Sequence, residues 1–324
     1  MKVLVTGAAG FIGFHVSKHL LERGDTVIGL DNFTPYYDVS LKEARIKELQ
    51  NLNKDLVFEK LDLLDNDALS RFCSEHQPDR IIHLAAQAGV RYSIEHPRDV
   101  IQANVVTFMN ILDQANELGV EHFVYASSSS VYGSNQDIPF RISDNVDHPI
   151  SMYAATKKAN ELMAHVYSHL YQLPSTGLRF FTVYGPWGRP DMSAFLFAKA
   201  ICSGETIKLF NHGNHRRDFT YIDDIVSGVI KVLDSPPESK ANHYALFNMG
   251  NNQPVELMEF LRLIEQNIGK KAITELVDMQ PGDVEETYAD IDAISNDLGY
   301  RPKTSIDVGI AKLIDWYKIY YGQV

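Results

Sequence analysis

The sequence predicts an α/β fold, a doubly wound parallel sheet followed by a smaller, mostly C-terminal α/β lobe. Three observations carry that prediction. Short β-branched runs alternate with longer helical patterns up to about residue 180, which is the signature of stacked βαβ units. A glycine-rich turn joins the first run to the first helical pattern. Beyond about residue 185 the alternation gives way to Pro- and Gly-rich segments such as YGPWGRPD and FNHGNHRRD.

The expected strands are Lys2–Thr6, Thr26–Leu30, Leu56–Lys60, Arg80–Leu84, His122–Ala126 and Thr176–Phe181. Phe11–Glu22, Asp67–Glu75, Asp99–Leu118 and Met152–Leu173 read as the intervening helices. Tyr221–Leu233 (YIDDIVSGVIKVL) reads as a helix returning to the sheet, and PPES at 236–239 as a linker. The expected division is therefore a dinucleotide-binding domain over 1–180, joined again by 217–247. A substrate lobe would then be built from 181–216 and 248–324. The sequence shows no internal repeat.

Composition narrows the function. Net charge is −12 over 324 residues and no Lys/Arg-rich run appears, so nucleic acid is not an expected partner. An anionic ligand must be met by individually placed cations. Cys73 and Cys202 match no metal spacing, so no metal is expected and a reducing cytoplasm is. No apolar stretch reaches membrane-spanning length. The N-terminus enters a strand at once, leaving no room for a signal peptide.

VLVTGAAGFIGFHV sets Gly7, Gly10 and Gly13 between a strand and a helix. The glycines permit a tight turn, close approach of backbone to a pyrophosphate and close helix–sheet contact. The helix starting at Phe11 and Ile12 presents free N–H groups and a positive end to that phosphate. Asp31, with Asn32 after it, ends the next strand. A carboxylate there accepts ribose hydroxyls and repels the 2′-phosphate of NADP, so the expected cofactor is NAD. Asp62, followed by Leu63, ends the third strand and either meets the adenine end or caps the next helix.

Of 16 tyrosines only Tyr153 has a lysine, Lys157, four positions later. At that spacing on a helix the two share a face, and Ser151 is the expected N-cap. The lysine ammonium, the helix N-terminus and an oxidised nicotinamide would each lower the phenol pKa, making Tyr153 a general base. Just upstream, an apolar strand runs into four serines, YASSSSVYG. Strand alternation would send Ser128 and Ser130 one way and Ser127 and Ser129 the other.

The G-x-x-G-x-x-G spacing, HLAAQAGV with Ala85, Ala86 and Gln87, Asn104, Tyr153-x-x-x-Lys157, RFFTVYGP and RRDFTYIDD together resemble the extended short-chain dehydrogenases/reductases that act on nucleotide sugars. The resemblance covers nearly the whole chain. It implies a Rossmann-type fold and an NAD site that includes Ala85, Ala86, Gln87 and Asn104. In that site Lys157 bonds the nicotinamide ribose. It implies that Ser128 bonds the hydroxyl being oxidised. Relatives that decarboxylate or dehydrate the keto sugar carry an acid just before VYG, where Ser130 stands here, and an oxidation site without that acid suits an epimerase. Arg217 is implied at the substrate pyrophosphate, Asp283 at its ribose, and Phe210 stacked or packed against uracil. The helices holding Val106, Met109, Leu162 and Val166 are implied to pair in a homodimer.

DNFTPYYDVSLKEARIKEL and YGPWGRPDMSAF are similar to UDP-glucuronate 4-epimerases in particular. On that likeness Arg189 would hold the C6 carboxylate of the sugar, assisted by Thr182 or by Arg91 and Tyr92, since a buried carboxylate needs a cationic partner. Gln280 stands where many UDP-galactose 4-epimerases have an arginine. The competing readings are a 4-epimerase of UDP-glucose or UDP-N-acetylglucosamine, a UDP-glucuronate decarboxylase, and a non-catalytic NAD-binding regulator.

Overall fold

The computed structural model describes residues 1–52, 55–237, 243–280 and 284–322. The Asp283 position and part of the 236–239 loop lie outside them. The first strands and helices are β1 (Lys2–Thr6), α1 (Phe11–Arg23), β2 (Thr26–Asp31), α2 (Val39–Leu52), β3 (Leu56–Lys60), α3 (Asn66–His76) and β4 (Arg80–His83). Two short helices follow, α4 (Val90–Glu95) and α5 (Pro97–Ile101), and a π-helical turn at Gln102–Val106 runs into α6 (Thr107–Leu118). Then come β5 (His122–Ser128), α7 (Met152–Tyr171), β6 (Ser175–Phe180) and β7 (Thr182–Tyr184).

Seven strands form one parallel sheet in the order β10-β6-β5-β4-β1-β2-β3, closed at one edge by β10 (Tyr244–Met249). Its five inner strands are buried on both faces, whereas the edge strand β3 is not. In β1, Val3 and Val5 pack into one core while the intervening Leu4 packs into the other, as the two-residue period of a strand requires. The first core lies under α1 and α9 (Ile222–Leu233), the second under α3, α6 and α7. Strand order reverses between β1 and β4. The loops after these two strands therefore part and leave a crevice at their C-terminal ends.

The remaining elements are α8 (Ser193–Ser203), β8 (Thr206–Leu209), β9 (Arg216–Tyr221), β11 (Pro254–Glu256), α10 (Leu257–Ile268), β12 (Ile273–Leu276), α11 (Asp292–Leu298) and α12 (Ile306–Tyr321). They contribute a three-stranded sheet, β11-β9-β7, and a parallel β12–β8 pair. Among the described residues no helix is long and apolar enough to cross a membrane.

Two expectations need correcting. The helix predicted over Asp99–Leu118 contains the π turn, which puts one extra residue into its coil and turns Asn104 inward. The serine run is not all strand: β5 stops at Ser128 and Ser129–Tyr132 is a 3-10 turn. Ser128 and Ser130 still meet, Oγ to Oγ at 3.2 Å, but because the turn folds back. Ser127, on the opposite face of β5, points into the protein and donates to Glu161 at 2.6 Å.

Candidate active site

A cavity of about 1230 Å³ opens at the crevice and runs towards the smaller sheets, room for a ligand larger than drug-sized. Gly7, Gly10, Phe11, Ile12 and Gly13 line it together with Asp31, Asn32, Asp62 and Leu63 and with Ala85, Ala86 and Gln87. Gly7 has φ +71°, and a Cβ there would sit 2.8 Å from the Ala85 nitrogen. At Gly13 a Cβ would lie 2.0 Å from the Gly7 carbonyl oxygen. Gly10 caps α1 without a side chain, so the positive end of that helix faces the cavity unscreened.

Asp31 is held at the rim by backbone donors, Ala9 N–H at 3.2 Å and Phe33 N–H at 2.8 Å. Helix α2, which was not expected, adds two cations. Lys42 stands 3.7 Å from the Asp31 carboxylate, and burial lowers its pKa while Asp31 opposes that. Arg45 is fully buried and bonds the Ala9 carbonyl at 2.8 Å and the Trp187 carbonyl at 2.6 Å. It thereby ties the glycine loop to the segment that leads into Arg189. The sequence signal for both is the LKEAR repeat of basic residues three apart on one helical face.

Asn104 does not line the cavity. Its amide is spent on the two backbone groups of Gln87, at 2.8 and 3.1 Å, and on Thr156 at 3.1 Å. It shapes the backbone at Gln87, which does line the cavity.

In the middle of the cavity lie Ser128, Ser130, Tyr153 and Lys157. Ser151 caps α7 through the Ala154 N–H at 3.1 Å, fixing the turn from which Tyr153 projects. Burial pushes the Tyr153 phenol above its ordinary value, against the Ser128 hydroxyl and the Arg189 guanidinium, which pull it down. Without the oxidised nicotinamide that the expectation also invoked, Lys157 and the helix end do not outweigh burial. Lys157 Nζ is 6.0 Å from the Tyr153 ring centroid and donates to the Ala126 carbonyl at 2.9 Å. Burial pushes that ammonium down to about 8.

Thr182, Arg189, Phe210, Arg217 and Arg91 line the far end. The Arg91 guanidinium lies over the Phe210 ring at 5.0 Å. Arg217 is held by the Glu285 carbonyl at 2.8 Å and the Val284 carbonyl at 2.6 Å. Arg189 is paired with Asp191 through Nε at 3.0 Å and Nη2 at 2.5 Å.

A glycine loop at a helix start, an acid at the end of β2 and a Tyr–Lys pair beside a serine turn define a Rossmann-type, NAD-using site for oxidising an alcohol. The chain belongs to the NAD dependent epimerase/dehydratase family, whose sequence model matches residues 3–250. It is 52% identical to Protein CapI of Staphylococcus aureus, with 99% of each chain covered. It is 45% identical to a probable UDP-glucuronate 4-epimerase of Rhizobium meliloti, over 98% of this chain and 97% of that one. The crystal structure of UDP-glucuronic acid 4-epimerase from Bacillus cereus with UDP-glucuronic acid and NAD superposes with a TM-score of 0.90. That chain is 34% identical, and the match covers 99% of this chain and all of the other.

Proposed function

We propose that the protein interconverts UDP-glucuronate and UDP-galacturonate by epimerisation at C4. One observation carries the reading: Arg189 stands in the same cavity as Ser128 and Tyr153, close enough to lower the phenol pKa. A cation for a C6 carboxylate thus sits beside the group that would act on C4.

NAD, when bound, supplies a hydride acceptor and donor at C4. The chain supplies the rest. The start of α1 takes the pyrophosphate and Asp31 the adenosine ribose. Tyr153 takes the C4 hydroxyl proton and Ser128 orients that hydroxyl. Lys157 holds the nicotinamide ribose. Arg217, Phe210 and Asp283 anchor the uridine diphosphate while the 4-keto sugar turns its other face. The acidic residues lining the cavity are Asp31, Asp62, Asp99 and Asp191 among the described residues, and Asp191 is engaged by Arg189. With Ser130 in place of an acid, no unengaged carboxylate among the described residues stands beside the serine turn to move a proton towards decarboxylation.

A cytoplasmic homodimer completes the reading. Val106 on the π turn and Leu162 and Val166 on α7 are exposed, whereas Met109 packs inward. Cys73 and Cys202 are free thiols.

The test is incubation of the purified protein with UDP-glucuronate, followed by proton NMR of the anomeric region. UDP-galacturonate without net NADH is expected, and Tyr153→Phe should lower kcat by roughly 10²- to 10⁴-fold. UDP-xylose or a 4-keto pentose as product would overturn the account of the serines.

A further inference from the structure

Arg189, Pro190 and Asp191 form a unit in the loop after β7. The Asp191 carboxylate takes Nε and Nη2 of Arg189 with its two oxygens, 3.0 and 2.5 Å. That is the side-on, two-bond arrangement a guanidinium offers any carboxylate. Pro190 fixes its own φ between the partners, which lowers the entropy cost of pairing. Asp191 has a second tether: the Tyr36 hydroxyl donates to its Oδ2 at 3.2 Å. Tyr36 lies on the loop after β2 with its ring 5.9 Å from the Arg189 guanidinium. Both members of the ion pair are partly accessible, 23% for Arg189 and 28% for Asp191, and both line the cavity.

We infer that Asp191 is a built-in stand-in for the substrate carboxylate, and that a uronate must compete with it for Arg189. The inference rests on the reading of Arg189 as the site of the C6 carboxylate. While Asp191 holds the guanidinium, the pair is neutral and presents little attraction to a second anion. A uronate displaces Asp191 by offering Arg189 an equivalent pair of oxygens, and Tyr36 retains the released aspartate. A sugar with a hydroxymethyl group at C6 offers one neutral oxygen and leaves Arg189 where it is. Asp191 thus costs the uronate some affinity, and it keeps the arginine from lying as an unpaired charge in the cavity when a neutral sugar, or none, is bound.

The experiment is calorimetric titration of NAD-loaded protein in a Tyr153→Phe background, which stops turnover. With Asp191→Asn, UDP-glucuronate is expected to bind roughly three- to fivefold more tightly, the scale of a partly exposed ion pair no longer opposing it. UDP-glucose affinity is expected to stay within about twofold. Unchanged or weaker UDP-glucuronate binding in Asp191→Asn, with Arg189→Met markedly weaker, overturns the stand-in and makes the pair a fixed strut, leaving the Arg189 reading intact. Equal UDP-glucuronate affinity in Arg189→Met and its parent overturns both. Asp191→Ala, which carries no amide to replace the lost oxygens, repeats the test should Asn re-form the bond to Arg189.

Discussion

Two arginine–carboxylate pairs flank the serine turn, and they differ in nearly everything except their chemistry. Behind the turn, Arg179 on β6 meets Glu161 on α7 through Nε at 2.8 Å and Nη2 at 2.9 Å, with side-chain exposures of 2% and 3%. Ser127 on β5 donates to the same Glu161, and the Arg179 guanidinium lies 4.9 Å from the Tyr132 ring centroid. In front of the turn, Arg189 and Asp191 sit two residues apart in one loop at the cavity wall. The first pair joins two strands and a helix and is shielded from solvent. The second closes on itself within a loop and faces the space where substrate would lie. Burial and connectivity decide which pair is a strut and which can be opened.

The largest effect that would test this contrast is on stability. Glu161→Ala leaves Arg179 buried without its carboxylate, and a loss of about 3–5 kcal/mol in urea unfolding is expected. Replacing both partners by apolar residues of similar size, as in Glu161→Leu with Arg179→Met, should recover most of that loss. Asp191→Ala in the same assay should move stability by no more than about 1 kcal/mol. Equal costs for the two carboxylates would erase the distinction.

The next effect belongs to the cofactor end, where the constraint is backbone sterics and no ion pair is involved. The atoms that a Gly13 Cβ would strike, Gly7 O and C and Ala8 Cα, are all backbone, so no side chain can swing aside. Overpacking of this kind costs about 1–3 kcal/mol, so Gly13→Ala should weaken NAD binding roughly ten- to hundredfold in a direct titration. Wild-type affinity would mean that the loop can shift.

This difference also explains what was legible in the sequence. The cofactor wall is written in local spacing: three glycines after a strand, then an acid at the end of the next. Tyr153 and Lys157 are one helical turn apart, so their pairing is local as well. The Glu161–Arg179 strut joins residues on different elements, and nothing local marks it beyond an arginine in the apolar strand STGLRF and an acid two turns past Tyr153. Helix α2 was hidden because DNFTPYYDVSLKEARIKEL is mostly polar, and its buried face rests on Lys42 and Arg45 as well as on Leu41, Ile46 and Leu49. Neither the π turn behind Asn104 nor the 3-10 turn after Ser128 has a period that sequence patterning can see.

Lys157 sharpens the comparison, because it is a buried cation without the carboxylate that Arg179 has. Burial works against the Arg179 charge, but Glu161 outweighs it and leaves the guanidinium above its usual value. Lys157 donates to the neutral Ala126 carbonyl, and burial takes its pKa from 10.5 down to about 8. If its ammonium holds the nicotinamide ribose, NAD binding to the cofactor-free protein should be flat below about pH 7 and weaken as the proton leaves above pH 8. Between pH 8 and 9 the apparent Kd should rise about fivefold, since the charged fraction falls by that factor. Lys157→Met should bind weakly with no such slope, and a wild-type titration flat to pH 9.5 would remove the ammonium from the cofactor site. Stability should move the opposite way. The unfolded chain keeps this proton up to about pH 10.5 while the folded chain sheds it near 8, so the unfolded state binds more protons across that window. The cofactor-free protein should therefore gain stability relative to Lys157→Met as pH rises from 8 towards 10.5. Cofactor affinity and stability diverging over one pH range would separate a desolvated lysine from one held, like Arg179, by a partner.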